Sequence, residues 1–147
     1  MIGEADPFLA RLLLRFAEAC GLRGVNAQTG HDVLALVQRE RPAVVILDSE
    51  LPGRLRGWEV IRAIKAHPEL RHIPLIHCSW NHAADTSLPS GQAVAHLSKP
   101  GLRYADFVAA LCAAGVTAEI KAEPADEHAV QETTDIPHQS AQGTSSK

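Results

Sequence analysis

Cysteine is scarce in this chain and unpatterned: Cys20, Cys78 and Cys112 each sit inside an apolar stretch, and no CxxC spacing occurs. That argues against a disulfide framework and predicts a reducing, cytoplasmic compartment. Long apolar runs are also lacking. None approaches the ~20 residues needed to cross a bilayer, and no basic segment followed by a hydrophobic one opens the chain, so neither a membrane span nor a leader is expected. Clusters of Lys and Arg are missing as well. The formal net charge is −3, and its placement is uneven. After Val116 the acids Glu119, Glu123, Asp126, Glu127, Glu132 and Asp135 face only Lys121 and Lys147, so this tail holds −4 and the rest of the chain +1. A body so close to neutral offers no field to attract nucleic acid, and no nucleic-acid partner is expected.

What the sequence does have is alternation between helical and strand periodicity. Asp6 can cap a helix with Pro7 at its first position, and Leu9, Leu12, Leu13, Phe16 and Cys20 then fall on one face before Gly21. A short strand is predicted near Gly24 to Gln28. Thr29, with Asp32 three residues on, opens a second helix that ends before Pro42. Ala43 to Leu47 is a continuous apolar run too short for a helix, the pattern of a central parallel strand covered on both faces, and Asp48 ends it. Trp58, Ile61 and Ile64 mark a third helix, Ile73 to Cys78 a strand, and Ala93 to Leu97 the last strand. Tyr104, Phe107, Val108 and Leu111 mark a final helix closing at Gly115.

This order predicts an α/β fold, a doubly wound five-stranded parallel sheet. Two stretches strain the pattern. The first strand has at most Met1, Ile2 and Gly3. Trp80 to Gly91 should hold the fourth helix, yet Ser87, Pro89, Ser90 and Gly91 are poor helix formers, so a short or irregular segment is expected there. One domain over residues 1–116 is expected, followed by a disordered acidic tail over 117–147 that is too polar to offset its ordering entropy.

Functional groups in such sheets gather at the carboxyl ends of the strands. Glu4, Asp48, Ser79 and Lys99 each end or follow a strand, which aims two acids, a hydroxyl and an ammonium at one cleft. His77, His82 and His96 show no metal-ligand spacing, and Trp58 and Phe107 read as core.

Four segments, Glu4-Ala5-Asp6-Pro7, Leu47-Asp48-Ser49-Glu50-Leu51-Pro52-Gly53, Pro74-Leu75-Ile76-His77-Cys78-Ser79 and Leu97-Ser98-Lys99-Pro100, resemble the response-regulator receiver signature in order and spacing, from Met1 to about Gly115. The resemblance implies a flavodoxin-like sheet of order 2-1-3-4-5. It implies that Asp48 accepts a phosphoryl group from a histidine kinase or phosphotransfer protein, making the chain a switch and not an enzyme in the usual sense. Lys99 and Ser79 would hold the phosphoryl oxygens. Glu4, Asp48 and the backbone carbonyl of Glu50 would hold Mg²⁺, Lys99-Pro100 would be a cis peptide, and His96 would be the switch residue that turns inward when the Ser79 hydroxyl moves. A downstream protein would dock on the face from strand four to helix five, with a homodimer as a further option.

Two departures qualify this. Ala5 stands where the family has the acid that touches Mg²⁺ directly, so weak metal binding is expected unless Asp6 or Glu50 compensates. Trp80 stands where the residue after the hydroxyl is usually small, and its indole would screen the acceptor. The alternative is a pseudo-receiver, a docking or dimerisation module that works without phosphorylation. A flavodoxin-type enzyme would need a hydroxyl- and glycine-rich phosphate loop where Glu4-Ala5-Asp6-Pro7 would repel a phosphate.

Overall fold

A computed structural model describes residues 1–80, 91, 93–117 and 119. Among the described residues nine elements follow one another: β1 (Ile2–Gly3), α1 (Pro7–Ala19), β2 (Asn26–Ala27), α2 (Gly30–Glu40), β3 (Val45–Asp48), α3 (Gly57–Ala66), β4 (Leu75–Ser79), β5 (Ala95–Ser98) and α4 (Tyr104–Ala113). The strands form one sheet in the order β2-β1-β3-β4-β5, and every pairing is parallel. The doubly wound fold is as the sequence predicts, with the first strand as short as expected. The short or irregular segment expected over Trp80 to Gly91 falls, apart from those two residues, outside those described, as does nearly all of the acidic tail.

The apolar run of β3 serves both faces of the sheet because successive side chains point opposite ways. Ile46 joins Ile2, Ile76 and Leu97 in a core closed by Leu13 and Phe16 of α1 and by Phe107 and Leu111 of α4. Val45 and Leu47 join Leu75 in a second core closed by Val33 and Val37 of α2 and by Val60, Ile61 and Ile64 of α3. Each large side chain fully buried in these layers contributes roughly 1.5–3 kcal/mol of transfer free energy.

The helix starts follow their capping residues. Asp6 Oδ1 accepts from the backbone N–H groups of Phe8 and Leu9 at 2.9 and 2.8 Å, with Pro7 in the first turn. Thr29 Oγ1 accepts from Asp32 N at 3.2 Å, and its own proton goes to Asp32 Oδ2 at 2.7 Å. At α3 the constraint is steric. Gly57 lies so close to the carbonyl of Asp48 that a Cβ there would overlap it, which seats the helix start against the end of β3. Trp58, expected in the core, is only half-buried, and the Arg62 guanidinium one turn on lies 5.1 Å from its ring centroid.

Candidate functional site

Three parallel strands, β1, β3 and β4, end beside one another, and the turn after β5 supplies the fourth group. Glu4 follows β1, with its N–H bonded to Ala27 O at 3.0 Å. Asp48 and Ser79 are the last residues of β3 and β4. Lys99 continues β5, its N–H donating to Ser79 O at 2.9 Å. The chain then turns through Gly101, whose φ of 69° is a left-handed value that favours glycine. The Lys99-Pro100 peptide is trans, contrary to the cis bond that the resemblance implied. The aim of the ammonium comes instead from the ladder bond to Ser79 and the Gly101 turn.

The carboxylates of Glu4 and Asp48 are joined by one ammonium. Lys99 Nζ stands 2.7 Å from Asp48 Oδ2 and 2.9 Å from Glu4 Oε2, and all three residues are at most 5 % exposed. The remaining oxygens are held by backbone N–H groups. Asp48 Oδ1 accepts from Glu50 N and Glu4 Oε1 from Asp6 N, both at 2.9 Å. Burial alone would lower the Lys99 pKa, but its hydrogen bonds to Asp48 and Glu4 and their negative charge outweigh that and hold it above the ordinary lysine value. Two acids against one base leave the buried cluster with a formal charge of −1, which favours an incoming cation.

The donors fit a hard divalent cation in part. Among the described residues no group of three His, Cys, Asp or Glu is placed to hold a metal ion. Ala5 adds no ligand, and it packs at the edge of the second core. Asp6 is committed to capping α1, and Glu50 is exposed. Glu4, Asp48 and a loop carbonyl are what remains of a donor set.

Ser79 and His96, both singled out from the sequence, contact each other. Ser79 Oγ lies 3.0 Å from His96 Nε2, either atom being able to donate. His96 is in register with His77 across β4 and β5, and their rings meet edge to face with centroids 5.1 Å apart. This pair went unnoticed in the sequence. The signal was available in the alternation along the two strands, but only once their register is known. Burial pushes the neighbouring Cys78 thiol up to about 12, which makes it a poor nucleophile.

At the mouth, Trp80 is 55 % exposed and its ring centroid lies 5.7 Å from Lys99 Nζ. With Phe8, itself 62 % exposed, and Leu12 and Leu102, it lines a surface pocket of about 430 Å³ that reaches Lys99.

A parallel sheet of this order, with acid, acid, hydroxyl and lysine at its strand ends, is the arrangement that the receiver resemblance implied. The response regulator receiver domain family model matches residues 1–111, and the chain belongs to that family, the receivers of two-component signalling. Among curated relatives, the polar-differentiation response regulator DivK of Brucella anthropi is 30% identical over 102 residues, 68% of this chain and 82% of the relative. Among solved structures, the receiver domain of a sensor histidine kinase from Pseudomonas aeruginosa superposes with a TM-score of 0.68 at 21% identity, covering 78% of this chain and 94% of that one. That structure carries a magnesium ion in its active-site cleft. A chemotaxis response regulator of Vibrio cholerae gives a TM-score of 0.67 at 17% identity, over 77% and 94% of the two chains. No helix among the described residues is long and apolar enough to cross a membrane.

Proposed function

We propose that this chain is a cytoplasmic signalling receiver whose Asp48 accepts a phosphoryl group from the phosphohistidine of a kinase or phosphotransfer protein. One observation carries the reading: the Lys99 ammonium is held 2.7 Å from Asp48 Oδ2, within reach of any group bonded to that carboxylate. A carboxylate attacking an anionic phosphoryl group needs nearby positive charge to offset the oxygens of the transition state. As the Asp48 oxygen bonds to phosphorus, the P–N bond to the donor imidazole breaks and the electron pair returns to that ring. Lys99 passes from carboxylate to phosphoryl oxygen while keeping its bond to Glu4. Ser79 turns to donate its hydroxyl proton to a second phosphoryl oxygen.

Glu4, Asp48 and the carbonyl of Glu50 would hold Mg²⁺. Bound there, the ion would neutralise further charge on the phosphoryl oxygens. With Ala5 in place of an acid, its affinity is about 10- to 100-fold below that of a three-carboxylate site, or ~1.4 to ~3 kcal/mol. The receiver unit spans residues 1–116, and its output is a protein surface from β4 to α4 that responds to the state of Ser79 and His96.

A second reading, a docking or dimerisation module independent of phosphorylation, is favoured by that same Ala5 and by a Lys99 that already neutralises one of the two carboxylates. Titrating beryllofluoride in Mg²⁺ while following Trp58 and Trp80 fluorescence separates the two. A saturable change in the wild type that vanishes in Asp48→Asn supports the acceptor, and no response at high Mg²⁺ supports the docking module.

A further inference from the structure

The resemblance implied that His96 turns inward after the Ser79 hydroxyl moves. The two are hydrogen-bonded to each other at 3.0 Å. The direction of that bond matters. β4 runs between β3, which carries Asp48, and β5, which carries His96. Neighbouring strands stand about 4.8 Å apart, so β3 and β5 are roughly twice that from each other. A hydroxyl on β4 that reaches across to β5 is turned away from β3. The Ser79 backbone cannot follow it in either direction, because Lys99 N–H holds Ser79 O at 2.9 Å and Ser79 is paired with Ser98 in the sheet. Only rotation about χ1 is left.

We propose that His96 is a positioning residue that latches Ser79 in the resting state, holding its hydroxyl away from the acceptor so that phosphorylation must first break this bond. The inference rests on Asp48 being the acceptor. Ser79 is 4 % exposed, so no bulk water stands ready to replace His96 as its partner. The His96 ring is backed by buried His77 edge to face, which keeps Nε2 in place. The latch therefore biases the chain toward its unphosphorylated conformation by the net strength of one hydrogen bond. It makes this receiver harder to activate than one whose hydroxyl has no ring to hold it.

The test is the affinity for beryllofluoride in Mg²⁺, read by tryptophan fluorescence, in the wild type, His96→Leu and His96→Gln. Loss of one hydrogen bond predicts about 2- to 10-fold tighter binding in His96→Leu. His96→Gln, which can still hydrogen-bond Ser79, returns toward the wild-type value. Thermal unfolding of each variant checks that it is folded. A second readout needs no phosphoryl mimic: the ring ¹⁵N shifts of His96 are compared between the wild type and Ser79→Ala, and the latch requires the Nε2 signal to move. A wild type that responds while His96→Leu binds no tighter overturns the latch alone, as does an unmoved Nε2 signal. A wild type that ignores beryllofluoride overturns the acceptor reading and the latch's function with it.

Discussion

Lys99 Nζ sits 2.7 Å from Asp48 Oδ2 in a site where both residues are buried. This ion pair, shared with Glu4, gives the cluster at once its stability and its chemistry. A buried ammonium is tolerated because two carboxylates face it, and the carboxylates are tolerated because it faces them.

Removing the ammonium while keeping the side chain's bulk exposes that mutual dependence. Lys99→Met leaves Glu4 and Asp48 buried as like charges, and a destabilisation of about 3–5 kcal/mol at pH 7 is expected in urea unfolding.

The response to alkali comes from Lys99 in this cluster and from the burial of Cys78 beside it. Lys99 is held above its ordinary pKa and Cys78 is raised from 9.0 to about 12. A raised folded-state pKa supports the fold below the unfolded value and loses that support as the pH climbs through the folded one. The contribution of Cys78 is therefore expected to be full below about pH 9 and to fall between about 9 and 12, by roughly 4 kcal/mol at 1.36 kcal/mol per unit. Urea midpoints measured across that range in the wild type and Cys78→Ala check this, the variant showing the shallower fall.

Much of the architecture was readable because hydrophobic burial is a local, periodic signal. The run Ala43 to Leu47 required cover on both faces, and Ile46 and Leu47 receive it from opposite helix pairs. Asp6 and Thr29 were legible as caps from their chemistry alone. The gathering of Glu4, Asp48 and Lys99 followed from the rule that parallel strands present their carboxyl ends on one side. What could not be read were relations set by register and turn geometry between distant strands. Such are the Glu4-Lys99 ion pair, the His77-His96 contact and the trans Lys99-Pro100 bond. Trp58 was misplaced in the core although Arg62, four residues on, was visible as a partner that would keep it at the surface.

Restoring the missing acid tests the metal argument in the opposite sense. Ala5→Asp takes the cluster from a formal −1 to −2. The variant is expected to be less stable than the wild type without metal, and to bind Mg²⁺ about 10- to 100-fold more tightly in isothermal calorimetry. Equal Mg²⁺ affinities in the two proteins would show that position 5 does not face the ion.

Trp80 stands half in solvent, its ring centroid 5.7 Å from Lys99 Nζ. If its indole screens Asp48 from both the phosphoryl donor and attacking water, Trp80→Ala is expected to phosphorylate and dephosphorylate several-fold faster, with little change in stability. Rapid-quench assays of both steps measure this, and two unchanged rates would rule out screening.

Whether Asp48 takes the phosphoryl group is read from intact and fragment mass after incubation with acetyl phosphate and saturating Mg²⁺. One added phosphoryl group is expected, mapped to Asp48 and absent in Asp48→Asn. Protein of unchanged mass under those conditions, or a phosphoryl group that persists in Asp48→Asn, would contradict it.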